Sequence, residues 1–456
     1  MESQRPVPQS RLGRLVQLGR LAGGIAGNVL SEGARQLSQG QRPALGDLLI
    51  APDNVARLAE RLSEMRGAAM KLGQLLSMES GELIPPELTQ ALARLREGAH
   101  AMPLGQVAQV LNAAWGEGWE RRFRRFSFTP MAAASIGQVH HAELKDGTRL
   151  AVKIQYPGIR RSIDSDLDNV ATLLRLVNLL PRAIDLAPLL QEAKLQLHAE
   201  ADYRQEAAHL QRFAERLHGD PRFEVPALVE ELTTPEVLAT GFLDGEPIET
   251  VAELAAPVRD EVAAALLELA LKEVFCWGLV QTDPNFANFR YQAARRRLQL
   301  FDFGATRTYP GERRATLRDL VRATLDGDDA DLLRAAEAVG YLGEGDPPGY
   351  RTGVLALLRM VTEPARAPAD YAFGQTDLAR RMSDMVIGLR LREGYGRLPP
   401  PEVLLLHRKL GGLYLLLSRL RATLPVGRLL SGVLEDHHTR PCRRMPGWTS
   451  PTSSTP

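Results

Sequence analysis

Four residues in the sequence combine the chemistry needed to hold a phosphorylated ligand and a divalent cation. Lys153 stands in the apolar segment 149–155, so its ammonium must leave a buried strand for a cleft or a partner. Asp283 and Asn288 lie five residues apart in a turn-rich segment, and Asp302 ends an apolar run 14 residues after Asn288. Carboxylate and amide oxygens are ligands that suit Mg²⁺, and a lysine suits phosphate. Each feature alone also fits a bland role, such as a solvated strand lysine or a capping turn.

The elements that must position Lys153 have the alternating pattern of short antiparallel strands. Helical periodicity then extends from about Ile163 to about Leu217, which predicts one long helix in the same lobe. Alternation and intervening turn residues predict five strands, at 123–128, 139–144, 149–155, 224–232 and 237–242.

The elements that carry Asp283 and Asp302 are different. A long apolar helix is predicted at 258–277, a short hairpin follows at 289–291 and 298–301, and helices continue to about Leu434. This order predicts an α+β, bilobal protein-kinase-like fold with an antiparallel five-stranded first lobe and a helical second lobe. The Asp-x4-Asn spacing and the later Asp-Phe-Gly occur in kinases in the same order, on the same kinds of element.

In kinases the strand lysine contacts the ATP phosphates and pairs with a carboxylate on a helix. The helical segment offers Glu200, Asp202 and Glu206, and residues 202 and 206 would share one face of a continuous helix. Spacing does not decide which carboxylate meets Lys153. We prefer Glu206.

Two features depart from an ordinary protein kinase. The Gly-rich phosphate loop is replaced by a small-residue loop at 132–137, and an alanine Cβ limits positive φ and close backbone approach. No Ala-Pro-Glu follows Asp302, so a long activation loop and its peptide platform are absent. We therefore expect altered nucleotide binding and no phosphorylation of ordinary protein substrates. The residues expected to cover the nucleotide are Ala132, Ala133, Ala134 and Ser135.

A helix with an apolar stripe from about 55 to 76 precedes the kinase-like part. Lys71 and Gln74 are three residues apart on its flank, and the pair Glu200 and Asp202 is a candidate acceptor for them. The first 50 residues contain a basic amphipathic segment, which packs on the body or lies on a membrane surface. The predicted parts are 1–50, a helical extension at 51–120, a first lobe at 121–245, a helical lobe at 246–435 and a disordered tail at 436–456.

Composition excludes several classes of protein. The 456 residues include 56 Lys+Arg and 55 Asp+Glu, a formal net charge of +1 that gives no support to nucleic-acid binding. Two distant cysteines exclude a disulfide framework and a cysteine-based zinc module. No apolar run is long enough for a transmembrane helix. The two cysteines fit a reducing compartment. The segment 403–420 is a candidate dimer face.

The Lys-x-Gly-Gln helix, the Ala-rich loop and the Glu-x-Asp pair resemble the UbiB family of atypical kinase-like proteins, also called AarF-type. The resemblance covers about 53–420. The segments at 281–288 and 407–412 look like the subgroup that contains the mitochondrial members required for coenzyme Q synthesis and their proteobacterial relatives.

The resemblance implies an ATPase that binds ATP with Mg²⁺ and supports ubiquinone biosynthesis at a membrane, beside partner proteins and lipid or quinone precursors. It implies a cytoplasmic protein at the inner face of a bacterial membrane, with the mitochondrial matrix as the alternative. It also implies that the 51–120 extension occludes the substrate entrance. Alternatives are a non-catalytic, nucleotide-gated scaffold and a lipid or small-molecule kinase. The implied roles are phosphate contact for Lys153 paired with Glu206, Mg²⁺ binding for Asn288 and Asp302, the catalytic-base position for Asp283, and contact of Lys71 and Gln74 with Glu200 and Asp202.

Overall fold

The structure is a computed structural model that describes residues 35, 67–68, 71, 101–176, 186–326, 328–393 and 399–435. The chain divides into two compact units, the first being Met1–Asp244 with Gln299–Ala305 and the second Gly245–Leu298 with Thr306–Pro456. The predicted basic segment before residue 51, most of the Lys-x-Gly-Gln helix with Gln74, and the tail from 436 lie outside the described residues.

The first unit is built on one antiparallel sheet with helices before and after its third strand. Its elements are α1 (Leu104–Trp115), β1 (Phe123–Ala133), β2 (Gly137–Leu144), β3 (Arg149–Gln155), α2 (Ile159–Leu176), α3 (Leu186–Glu200), α4 (Tyr203–Leu217), β4 (Phe223–Glu224) and β5 (Val237–Gly241). The strand order across the sheet is β1-β2-β3-β5. The α+β fold class is therefore as the sequence predicts.

Strand β3 lies in the interior of this sheet and carries Lys153. It pairs antiparallel with β2 and β5, which places Lys153 opposite Val139 on one side and Leu238 on the other. The β2–β3 hairpin closes where Gly147 adopts φ +90° and the backbone N–H of Thr148 donates to Asp146 Oδ1 at 2.9 Å. The predicted Asp-Gly turn therefore fixes the register that centres Lys153.

Two details of the first unit differ from the predictions. The fifth strand, predicted at 224–232, is reduced to β4, and Glu230–Leu232 form a 3-10 turn, so the sheet has four strands. The single long helix is instead three helices. Helix α3 ends at Glu200, and Asp202 is extended (φ −120°, ψ 97°) while its side chain accepts a hydrogen bond from the N–H of Arg204. Asp202 is thus the N-cap of α4, and a cap interrupts a helix without disturbing the apolar periodicity.

The core of the first unit packs α1 against the sheet through aromatic residues. Trp119 is 1% exposed and its ring meets Phe123 edge-on, with centroids 5.9 Å apart. The indole N–H of Trp115 donates to the carbonyl of Leu232 at 2.9 Å. The indole N–H of Trp119 donates to Asn112 Oδ1 at 3.0 Å, so both large rings have their polar edges satisfied while they pack against the sheet that carries Lys153.

The second unit is mainly helical. Its elements are β6 (Glu246–Pro247), α5 (Ala256–Leu271), β7 (Leu279–Gln281), β8 (Phe289–Gln292), β9 (Arg297–Leu300, whose last two residues belong to the first unit), β10 (Thr306–Thr308), α6 (Gly311–Asp326), α7 (Asp329–Val339), α8 (Pro348–Val361), α9 (Glu363–Arg366), β11 (Tyr371–Ala372), α10 (Leu378–Glu393), α11 (Pro401–Arg419), β12 (Thr423–Leu424) and α12 (Val426–Glu435). Within the described ranges, no helix has the length and apolarity to cross a membrane.

The chain reaches the Asp283 segment through an irregular connection. Helix α5 continues as a π-helix at Lys272–Trp277, which ends at Gly278 with φ +62°. A Cβ at Gly278 would lie 2.6 Å from the carbonyl oxygen of Tyr309, so only glycine fits there. Strand β7 follows and pairs antiparallel with β10. The turn at Gly278 therefore sets the direction in which β7 delivers Asp283.

Candidate functional site

Lys153 and Glu206 form a buried ion pair in the first unit. The Lys153 Nζ donates to Glu206 Oε1 at 3.0 Å and to Oε2 at 2.9 Å, and the two side chains are 14% and 5% exposed. The same ammonium lies 3.4 Å from Asp302 Oδ2 and 5.2 Å above the ring centroid of the buried Tyr203. The carboxylate that spacing alone did not identify is therefore Glu206.

Burial and the neighbouring charges act in opposite directions on the pKa values of Lys153 and Glu206. Burial alone would lower the pKa of Lys153, but the Asp302 and Glu206 carboxylates outweigh it and hold that pKa well above its usual value. Burial raises the pKa of Glu206 to about 7, because the Lys153 ammonium counteracts burial only in part. Lys153 therefore stays a cation that faces two acidic groups, one of which is buried.

Asp302 is held in an unusual backbone conformation. Its φ is +55°, in the left-handed region that few non-glycine residues adopt. The backbone N–H of Gly304 donates to Asp302 Oδ1 at 3.2 Å, and the buried Phe303 packs on Phe213 with ring centroids 4.9 Å apart. Burial would raise the pKa of Asp302, but the Lys153 ammonium and the Gly304 N–H hold it below the usual value. The lowered pKa keeps the carboxylate anionic, and its 40% exposure leaves it open to a ligand.

The predicted contact between the Lys-x-Gly-Gln segment and the Glu-x-Asp pair is formed by one member of each. The Lys71 ammonium forms a short ion pair with Glu200 Oε1, and Ser135 Oγ donates to Glu200 Oε2 at 3.3 Å. Asp202 caps α4, and its carboxylate lies 3.7 Å from Arg160. Among the described residues, Glu200 and Asp202 therefore have different partners. Gln74 lies outside the described residues.

The Ala-rich segment is a tight turn and not a long loop. Ala132 and Ala133 still belong to β1 and are exposed, and the N–H of Ala134 donates to the carbonyl of Gly137 at 2.9 Å. A Cβ at Gly137 would lie 2.2 Å from the carbonyl oxygen of Ile154 and 2.9 Å from the Tyr203 hydroxyl. The absence of a side chain at Gly137 therefore lets the turn close directly over strand β3.

In the second unit, Asp283 and Asn288 lie together in one short loop. The side-chain amide of Asn288 donates to Asp283 Oδ2 at 3.2 Å, and Asn288 is 6% exposed. The side chain of Asn285 accepts from the N–H of Ala287 at 3.2 Å and caps a 3-10 turn that ends at Asn288. Because its amide nitrogen is directed to Asp283, Asn288 keeps its amide oxygen as a ligand atom.

Two cations on helix α11 were not assigned to the site from sequence. Arg408 Nη2 donates to Asp283 Oδ1 at 2.5 Å. Its neighbour Lys409 pairs with the buried Glu273 at 2.9 Å. In the sequence they are two adjacent charges within the leucine-rich segment 403–420, and the segment 407–412 that contains them indicated only the subgroup. Lysine and arginine are almost never fully buried without an anionic partner, so two charges in the middle of a buried helix indicate ion pairs.

Comparison with known proteins also indicates a kinase-like protein. The ABC1 atypical kinase-like domain matches residues 94–336. The mitochondrial atypical kinase COQ8B of Rattus norvegicus is 38% identical over 427 residues, which cover 92% of this chain and 79% of that protein. The mitochondrial atypical kinase COQ8 of Saccharomyces cerevisiae is 35% identical over 432 residues, 94% of this chain and 85% of that protein. A solved complex of Rv3197 with erythromycin from Mycobacterium tuberculosis aligns with TM-score 0.59 and 29% identity, covering 81% of this chain and 92% of that one.

Proposed function

This chain belongs to the ABC1 atypical kinase-like family, the family whose motifs were recognised above as UbiB, and from that premise we propose that it is an ATPase that binds Mg-ATP and supports coenzyme Q biosynthesis. The observation that carries the proposal is the cluster of Lys153, Glu206 and Asp302 in the first unit. It joins a fixed cation, a buried carboxylate that holds it, and a second carboxylate that a ligand can reach.

The proposed phosphate contact is made by Lys153. Its ammonium is held by Glu206 at 2.9 Å, so its position is set before any ligand arrives. The longer 3.4 Å contact with Asp302 is the one that an incoming phosphate and cation can replace. A pre-positioned cation stabilises negative charge without reorganising during the reaction.

The proposed Mg²⁺ ligands are Asp302 and Asn288, both of which offer oxygen atoms that suit this ion. Mg²⁺ is usually bound through one or two protein groups and completes its shell with substrate phosphates and water, so two protein ligands are sufficient for an ion that arrives with a nucleotide. Bound in this way, the ion would neutralise charge on the transferred phosphate.

We further propose that the Lys-x-Gly-Gln extension covers the Ala-rich turn and excludes peptides. Three contacts of the first unit support this: Lys71 pairs with Glu200, Ser135 donates to the same carboxylate, and Gly67 approaches the side chain of Ile136 so closely that a Cβ would lie 3.0 Å from it. The extension at 51–120, the lobes at 121–245 and 246–435, and a nucleotide-covering role for 132–135 are parts of the same proposal.

Partners and location are inferred from the relatives. The COQ8B of Rattus norvegicus and the COQ8 of Saccharomyces cerevisiae are mitochondrial proteins by name, and we propose that this chain acts at a membrane surface beside quinone-biosynthesis proteins and their lipid or quinone precursors. A bacterial inner membrane and a mitochondrial matrix face are both compatible with that chemistry. The leucine-rich helix α11 remains the candidate face for a homodimer.

The proposal is tested with the full chain and an Asp302→Asn variant. Wild type should bind ATP only with Mg²⁺ in calorimetry and hydrolyse it, and Asp302→Asn should lower turnover at least about 10-fold, the lower range for loss of a partner at a metal site. Asp319→Asn is the matched control, since this helical carboxylate is 69% exposed. Wild type without Mg²⁺-dependent nucleotide binding, or Asp302→Asn with unchanged turnover, would overturn the proposal.

One observation favours a second function, that of a nucleotide-gated scaffold. Both carboxylate oxygens of Asp283 already accept hydrogen bonds, Oδ1 from Arg408 and Oδ2 from Asn288. A carboxylate occupied in this way orients a nucleophile more readily than it removes a proton. If an Asp283→Asn variant without ATP turnover still restores quinone synthesis in a deletion strain, nucleotide binding alone is sufficient and the scaffold is favoured.

A further inference from the structure

Helix α11 contacts the Asp283 loop through consecutive residues. Arg408 Nη2 reaches Asp283 Oδ1 at 2.5 Å, and the two side chains are only 9% and 20% exposed. Asn288 donates to the other oxygen, Oδ2, at 3.2 Å. A carboxylate held at both oxygens by different donors cannot rotate about its terminal bond without losing one of them. Arg408 and Asn288 therefore fix the plane of the Asp283 carboxylate.

The next residue, Lys409, acts on the strand that leads into the loop. Its ammonium donates to both oxygens of Glu273, at 3.1 and 2.9 Å. Glu273 Oε2 in turn accepts the backbone N–H of Gln281 at 2.9 Å. The two charged side chains are 6% and 1% exposed. This chain of contacts anchors the last residue of β7, two residues before Asp283.

The third contact is steric and uses Gly412, three residues further along α11. A Cβ at Gly412 would lie 2.0 Å from Pro284 Cβ, which is too close for two carbon atoms that are not bonded to each other. Pro284 follows Asp283 directly, so the helix backbone at Gly412 packs against the residue next to the carboxylate. The proline ring already fixes φ at Pro284, and the contact with Gly412 restricts the position of that ring as well.

From these three contacts we propose that Arg408 is a positioning residue for Asp283, and that Lys409 and Gly412 hold the strand and the proline on either side of it. The proposal rests on the ATPase function proposed above. The catalytic loop contains no lysine or arginine of its own between 281 and 288. Arg408 supplies the missing cation from a helix that begins more than 100 residues later.

The test compares ATP turnover by Arg408→Ala and Arg408→Lys in the full chain. Arg419→Ala is the matched control, since Arg419 is exposed near the end of the same helix. Arg408→Ala should lower kcat at least about 10-fold while KM for ATP changes less than about twofold, because a misoriented Asp283 impairs the reaction step and not the binding of ATP. The kcat of Arg408→Lys should lie between the values of wild type and Arg408→Ala. Added guanidinium ion should restore part of the ATP turnover that Arg408→Ala loses. An unchanged kcat, or a loss confined to KM, would overturn the role.

A double variant separates positioning from general damage to the fold. If Arg408 acts through Asp283, adding Arg408→Ala to Asp283→Asn should lower kcat by less than about twofold further, because residues that act as a unit are not additive. A full additional 10-fold loss would show that Arg408 acts elsewhere and would refute the assignment.

A measurement without turnover distinguishes this proposal from the proposed function. Hydrogen exchange of the 281–288 amides, followed by mass spectrometry, should be faster in Arg408→Ala than in wild type and unchanged in Arg419→Ala. If wild type hydrolyses no ATP but exchange responds in this way, the ATPase proposal fails and the positioning contact stands. Equal exchange in Arg408→Ala and wild type would refute the contact itself.

Discussion

The buried pair of Lys409 and Glu273 gives a prediction whose size follows from the structure. Glu273 is 1% exposed and Lys409 6%, and they are 2.9 Å apart. Lys409→Met leaves a buried carboxylate without its counter-charge, for which the expected loss of unfolding free energy is about 3–5 kcal/mol. Burial already raises the pKa of Glu273 against the opposing effect of Lys409, so that pKa should rise further in the variant.

The rescue variant is Lys409→Met combined with Glu273→Gln. The glutamine retains a side-chain oxygen for the N–H of Gln281, and no charge remains buried. Replacing a buried ion pair by neutral groups of similar volume is often close to neutral, so the double variant should be more stable than Lys409→Met by at least about 2 kcal/mol.

The assay is urea denaturation at pH 7, with hydrogen exchange of helix α11 as a local probe. The chain has two units, so the local probe ensures that the measured change belongs to the second one. A Lys409→Met loss below about 1 kcal/mol would mean that the pair is not desolvated as the structure has it. A double variant no more stable than the single would mean that the two charges do not interact, and either result would refute the reasoning.

Two further predictions concern the first unit. Gly137→Ala should destabilise the protein by about 1–3 kcal/mol in thermal denaturation, because the new Cβ would lie 2.2 Å from the Ile154 carbonyl oxygen. The control is Gly105→Ala in helix α1, where a Cβ would meet nothing within 4 Å and stability should stay the same or rise slightly. The pKa of Glu206 is raised from 4.5 to about 7 in the folded protein. Between these two values the folded protein holds a proton that the unfolded chain has lost, so stability falls as the pH rises. Relative to Glu206→Gln, the unfolding free energy of wild type should fall by up to about 3 kcal/mol between pH 4.5 and 7. Parallel urea titrations from pH 4.5 to 8 measure this difference, and a constant difference would contradict it.

The positions of the chemical residues followed from local sequence. Lys153 was expected on an interior strand, and Asp283 and Asp302 on the loop and strand end that follow the long apolar helix, because alternation and turn residues encode such placements within a few positions. The strand, turn and helix types around them were predicted for the same reason. The roles of these residues remain predictions.

Three features could not be predicted from the sequence: a helix break, a 3-10 turn and an ion pair. Each involves either a single capping residue or a contact between residues far apart in the chain. Helical periodicity continues through Asp202, so the break that makes Glu200 and Asp202 work separately leaves no trace in the apolar pattern. A 3-10 turn at Glu230–Leu232 replaces a predicted strand, and its Leu232 carbonyl accepts a hydrogen bond from Trp115, more than 100 residues earlier in the chain. Arg408 meets Asp283 across 125 residues, a distance over which spacing carries no information.

That separation has a consequence for how the protein is made. A ribosome adds about 5–20 residues per second, so a growing chain carries Asp283 for roughly 6–25 s before Arg408 is added. During that interval Glu273, an almost fully buried acid in the finished protein, has no Lys409 to neutralise it. The second unit therefore cannot reach its final charge balance co-translationally until α11 emerges, and chaperones or proteases that act on nascent chains meet the unfinished Asp283 loop first.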